Sequence, residues 1–113
     1  MIVRNVNSEE VLATTYLAHR GAVARMILDR RTLKDIGFLA LAILEPEQSI
    51  EGHVDPMEEI YMIMEGTGEM TVDDETRQVG PLDAVWIPTG SLHALKNIGN
   101  SDLVILVVAG PVD

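Results

Sequence analysis

The sequence predicts an all-β protein, a small antiparallel barrel or sandwich, on three observations. Short runs rich in apolar residues recur from about residue 20 onward: Ala22 to Leu28, Ile36 to Leu44, Ile60 to Met64, Glu69 to Val72, Ala84 to Ile87, Leu92 to Ile98 and Leu103 to Val108. Turn-forming residues separate them, at Glu45-Pro46, Asp55-Pro56, Gly66-Thr67-Gly68, Asp73-Asp74, Gly80-Pro81, Thr89-Gly90 and Gly99-Asn100. Strands at this spacing point to a sandwich or barrel. The chain of 113 residues matches one domain, with no internal repeat, linker or low-complexity segment.

In chain order, Ser8-Glu9-Glu10 is placed to cap a short helix running towards Leu17, its acids favourable in the first turn. Residues 1–20 are expected to form an N-terminal arm or dimerisation segment. Glu69 to Val72 and Thr76 to Val79 flank Asp73-Asp74-Glu75 as a hairpin, without the Gly that a tight primed turn prefers. Gly66 and Gly68 are expected at a tight turn needing positive φ. Gly66-Thr67-Gly68 is not a phosphate loop, because neither a helix nor a Lys follows.

Composition narrows the chemistry. With no cysteine, disulfides, thiolate nucleophiles and thiolate metal sites are excluded. A formal net charge of −10 repels phosphate backbones, so nucleic acid is not an expected partner. The strongly apolar stretch Ile36 to Leu44 is far short of the ~20 residues of a membrane span. Residues 1–20 hold no sustained apolar run of the signal-peptide kind, so a cytoplasmic protein is expected.

Two clusters of metal-ligating residue types lie between Gly52 and Asn97. The first reads His53-Val54-Asp55-Pro56-Met57-Glu58-Glu59, with Gly66 after six intervening residues. The second reads Pro88-Thr89-Gly90-Ser91-Leu92-His93, with Asn97 after three. Residues two apart on a strand share a face, so His53 and Asp55 can point together. Glu59 follows across a short turn, and His93 comes from a distant strand. Two imidazoles and two carboxylates make an N/O set for a divalent cation.

This pattern resembles the two motifs of the cupin family, the first running His-x-His-x3-4-Glu-x6-Gly and the second Gly-x5-Pro-x-Gly-x2-His-x3-Asn. His53, Glu59 and Gly66 match the first motif, with Asp55 where its second His is expected. Pro88, Gly90, His93 and Asn97 match the second, with Leu82 at its glycine position. The resemblance implies a small antiparallel jelly-roll β-barrel (a double-stranded β-helix) with one metal inside its mouth, and a homodimer.

Each residue has an alternative reading. Glu58 rivals Glu59, since a one-residue slip reverses the face, but the spacing to Gly66 favours Glu59. Asp55 is either a ligand, an acceptor orienting an imidazole, or a turn-opening residue before Pro56. As a ligand it makes the site harder, favouring Mn²⁺ or Fe²⁺ over copper, with Zn²⁺ and Ni²⁺ still open. His19, away from both motifs, is expected in a surface loop or a subunit contact. Tyr61 should share the inward face with Glu59, Trp86 is expected in the core or an interface, and Met57, Met62, Met64 and Met70 fill gaps. Asn97 is expected to be structural, and Ser91 near His93 carries no triad context.

Two functions fit. One is a metalloenzyme of the oxygenase, isomerase or lyase class, acting on a small oxygen-bearing metabolite through His53, Asp55, Glu59 and His93. The other is a non-catalytic module that binds or senses a small molecule or sugar. A third, structural reading is the same barrel without metal.

Overall fold

The computed structural model describes residues 1–111. The chain runs α1 (Glu9–Leu12), β1 (Tyr16–Ala18), β2 (Ala22–Leu28), β3 (Phe38–Leu44), β4 (Ser49–Val54), β5 (Glu58–Glu65), β6 (Gly68–Val72), β7 (Glu75–Val79), β8 (Ala84–Ile87), β9 (Leu92–Asn97) and β10 (Leu103–Gly110). Two antiparallel sheets face each other as a jelly-roll barrel. One has the order β1-β2-β3-β10-β5-β8, the other β4-β9-β6-β7. No helix among the described residues is long and apolar enough to cross a membrane.

The core lies between the sheets. Strand alternation sends Leu103, Ile105, Val107 and Ala109 of β10 inward, where Ala40, Ala42 and Leu44 of β3 and Tyr61 and Ile63 of β5 join them. Leu95 of β9 and Met70 of β6 close the layer from the second sheet. The partners of the inward residues on β3 and β10 are also apolar. Leu39, Leu41 and Ile43 pair with Val108, Leu106 and Val104, so the outer face of this sheet is apolar too. Strands apolar on both sides are the pattern of a sheet covered on both faces.

Three elements depart from the sequence expectation. The helix ends at Leu12 rather than running to Leu17, because the Thr14 and Thr15 hydroxyls donate back to the carbonyls of Val11 and Leu12, at 2.7 and 2.6 Å. The chain then straightens and Tyr16 to Ala18 pair with β2. Strand β4 forms where no apolar run marks it, because Ser49, Glu51, Gly52 and His53 interrupt its apolar residues. Gly68 does not take positive φ; a Cβ there would crowd the tips of Leu95 and Leu103, at 2.8 and 3.0 Å.

Elsewhere the turns keep the expected places with different chemistry. Gly66 does take positive φ, at 88°. The β6–β7 hairpin manages without glycine because only Asp73, at φ 53°, enters the left-handed region, which Asp tolerates. The Asp73 N–H also donates to the Leu92 carbonyl at 2.7 Å, and Asp73 Oδ1 accepts the Leu92 N–H at 3.0 Å. Leu82, where the resemblance called for glycine, keeps the glycine conformation at φ 71°. Asn97 is structural: its amide donates to the carbonyls of Leu44 and Ser101, at 2.9 and 2.8 Å, tying β9 to β3.

Candidate metal centre

His53 and His93 face each other across the β4–β9 ladder as a directly paired couple. A bulge between Ile50 and His53 makes this geometry. In an unbroken strand, residues three apart point to opposite faces, yet Ile50 enters the core and His53 also turns inward. Asp55 follows just past the strand end. Glu59 enters from the other sheet, on the inward face of β5, where the next residue of that face is Tyr61.

One donor atom from each of His53, Asp55, Glu59 and His93 lies within 4.8 Å of all the others. His53 Nε2 is 3.0 Å and His93 Nε2 3.4 Å from Asp55 Oδ2, and His93 Nε2 is 3.6 Å from Glu59 Oε1. Both imidazoles use their other nitrogen on a backbone carbonyl: His53 Nδ1 on Glu51 at 2.8 Å, His93 Nδ1 on Ser91 at 3.0 Å. A carbonyl only accepts, so Nδ1 carries the hydrogen and Nε2 turns a lone pair into the cluster. Four electron-pair donors then converge with no donor hydrogen of their own. Glu59 Oε1 and His93 Nε2 are fully buried without a hydrogen-bond partner. Buried polar atoms are ordinarily paired. A cation at the centre satisfies all four, so the residues present fit a divalent metal.

Without a cation, protons must do that work. Burial, then the hydrogen bond and charge of Asp55, push Glu59 up to about 9, so its carboxyl keeps a proton at neutral pH. Burial alone would raise Asp55 as well, but the Glu59 hydrogen bond and the surrounding imidazoles hold it below the usual range. Burial lowers His93 and favours its neutral, metal-competent form. Glu58, the rival to Glu59, points outward and accepts the indole N–H of Trp86 at 2.7 Å. Trp86 is 63% exposed, so it is not a core residue. Tyr61 is buried and meets His93 edge-on at 5.8 Å, as the shared inward face requires.

His19 is the residue whose place the sequence did not reveal. It sits in an exposed turn, but its ring stacks on His53 with centroids 3.6 Å apart and planes 16° from parallel. The turn crosses from the six-stranded sheet to the mouth of the centre. Tyr16, Ala18 and His19 line one side of a cavity of about 230 Å³ that reaches Asp55 and Glu59. Ala22, Ala24, Ala40 and Ala42 on β2 and β3 make one stretch of its wall small, beside the larger Met26, Phe38 and Ile50. The alanines create the space.

The profile of the cupin domain family matches residues 40–109. The chain belongs to the cupin family. An uncharacterized protein of Methanocaldococcus jannaschii is 36% identical over 99 residues, covering 85% of this chain and 78% of that protein. A 5-nitrosalicylic acid 1,2-dioxygenase of Bradyrhizobium is 30% identical over 71 residues, which span 63% of this chain and 34% of that enzyme. Among solved structures, a predicted oxalate decarboxylase of Thermotoga maritima superposes with a TM-score of 0.82 at 24% identity, over 99% of this cupin and 100% of that chain. That last likeness speaks to the fold.

Proposed function

We propose that His53, Asp55, Glu59 and His93 hold one divalent cation and that the adjoining cavity takes a small oxygen-bearing metabolite, transformed by chemistry of the oxygenase, isomerase or lyase class. The observation that carries this reading is the pair of buried, unpartnered atoms, Glu59 Oε1 and His93 Nε2, aimed into a four-donor cluster. Two carboxylates among four ligands make the set hard and anionic, which favours Mn²⁺ or Fe²⁺, with Zn²⁺ and Ni²⁺ next. When bound, such a cation supplies Lewis acidity towards a carbonyl or hydroxyl oxygen, and redox capacity if it is iron.

The chain's own residues then bind and orient. A cavity of about 230 Å³ is below the usual range for drug-sized ligands and suits a metabolite of about ten non-hydrogen atoms. Its alanine walls exclude water from the metabolite's apolar part, while Asp55, Glu59, His19 and Tyr16 gather at one end. Burial, and the charge of Glu59 once it is ionised on a cation, raise the Tyr16 phenol, so it keeps a hydrogen to donate to an oxygen at that end. The dioxygenase named above is consistent with an oxygenase reading for this cupin. The apolar walls also favour a second reading, a module that retains its ligand without turning it over. Elemental analysis of protein purified without a chelating tag, followed by a metabolite screen with the metal found, separates the two. Consumption of a metabolite supports the enzyme, and saturable retention without consumption supports the module.

We further propose that the chain works as one domain and pairs with a second copy. The support is the apolar outer face formed by Leu39, Leu41, Ile43, Val104, Leu106 and Val108, since a face of this kind is covered in stable assemblies.

A further inference from the structure

We propose that His19 is a positioning residue of the metal centre, holding the ring plane of His53 from outside the ligand set. The inference rests on the metal reading above and adds a residue to it. The Glu51 carbonyl and Asp55 Oδ2 hold the two nitrogens of the His53 ring, and His93 lies against it at 4.1 Å, but these contacts leave its outer face without a wall. A stacked ring closes that face. His93 has core around it for this purpose, being 1% exposed with Tyr61 against its ring. His53 lies at the open side, and the stacked His19 ring supplies the missing wall at 3.6 Å.

The turn that delivers His19 is built for the task. Gly21 N–H donates to the Ala18 carbonyl at 3.2 Å, closing a reverse turn whose two central residues are His19 at φ 48° and Arg20 at φ 66°. Both lie in the left-handed region, where Asn-Gly is the relaxed choice. Strain at a non-glycine pair persists where surrounding contacts impose it, and such strain gathers at functional sites. The next residue makes the imposing contact. Gly21 abuts the Ser49 carbonyl so closely that any Cβ would collide with it. Ser49 opens β4, the strand that carries His53. The hairpin is therefore seated on the same strand whose ligand it steadies.

The experiment compares the full wild-type chain with His19→Ala and His19→Phe, changes at an exposed turn that leave the core intact. Three readouts apply: the Mn²⁺ dissociation constant by chelator competition, the visible spectrum of the Co²⁺-loaded protein, and the His53 ring-proton shifts without metal. His19→Ala should weaken Mn²⁺ by ~10–100-fold, the range of outer-shell losses. It should also change the Co²⁺ bands and remove the ring-current shift of His53. His19→Phe, which keeps a stacking face and loses both nitrogens, should hold Mn²⁺ within about threefold of wild type, well below that range. Unchanged affinity and Co²⁺ bands in His19→Ala would overturn the role, as would an equal loss in His19→Phe. Failure of the metal reading looks different: wild type itself would retain no Mn²⁺, and the positioning role would fall with it.

Discussion

The two halves of the candidate metal centre are held by different means. Glu59 and His93 stand on β5 and β9 within the sandwich, with side chains 4% and 1% exposed and Tyr61 packed beside them. His53 and Asp55 stand at the mouth, 15% and 21% exposed, on a bulged strand end and the turn that follows. Core packing orients the first pair. Local hydrogen bonds and the His19 hairpin orient the second. Disturbing the inner half should therefore cost fold and metal together, whereas disturbing the outer half should cost metal alone.

The largest expected contrast is between the two histidines. His93→Ala empties a buried position and leaves the Ser91 carbonyl without its donor, so the metal-free protein should lose about 2–4 kcal/mol, the range for buried large-to-small changes. His53→Ala should cost the metal-free protein less than about 1 kcal/mol, as expected of a partly exposed site. Both should abolish tight Mn²⁺ binding. Urea unfolding in chelator, beside a metal titration, checks the pair; equal stability losses would erase the distinction between the halves.

Next comes pH. Glu59 is pushed up to about 9 from an ordinary value of 4.5, so the metal-free fold holds its proton more tightly than the unfolded chain does. That contribution is whole below about 4.5 and is lost as pH rises towards about 9. His93 acts in the opposite sense. Its value is lowered from 6.5, so its contribution is present above that pH and is lost as pH falls below it. Glu59→Gln, which cannot ionise, should make metal-free protein more stable than wild type at pH 8 and flatten the alkaline decline. Melting curves in chelator from pH 5 to 9 measure this, and an unaltered slope would place the Glu59 charge elsewhere. With metal present the same substitution should weaken binding, because an anionic ligand is lost.

Asp55→Ala, at the mouth, should lower Mn²⁺ affinity by at least ~10–100-fold with little change in metal-free stability. Unchanged affinity would return Asp55 to a turn role. Asp55→His should restore binding with a shift towards softer ions. The smallest effect belongs to Leu82→Gly. Leucine in the left-handed region costs about 1–2 kcal/mol, partly offset by the extra freedom glycine brings to the unfolded chain. A gain of up to about 1 kcal/mol in chemical denaturation is expected.

What the sequence disclosed follows the same division. The convergence of His53, Asp55, Glu59 and His93 was legible because they lie in two local stretches, each with its own spacing, and because the spacing to Gly66 selects Glu59 over Glu58. Asn97 and Gly66 were legible for the same reason. His19 was not, since its place depends on Gly21 meeting Ser49 across 28 positions of chain. The available signal was a His-Arg-Gly turn between apolar runs, where a stiff non-glycine pair needs a reason to be. The bulge in β4 escaped because alternation is a rule for regular strands. Trp86 was expected in the core or an interface, and the core alternative fails because its indole bonds the outward Glu58. Leu82 shows that a turn can keep its conformation after losing the glycine that usually marks it.

Whether His53, Asp55, Glu59 and His93 together bind one divalent cation is read most directly by equilibrium dialysis of chelator-stripped protein against Mn²⁺ at pH 7.5, with wild type and His93→Ala in parallel compartments. Wild type should saturate at one ion per chain, and folded His93→Ala should retain none above background. Absence of retained Mn²⁺ and Fe²⁺ in wild type, or equal retention by the two proteins, would contradict binding by these four residues.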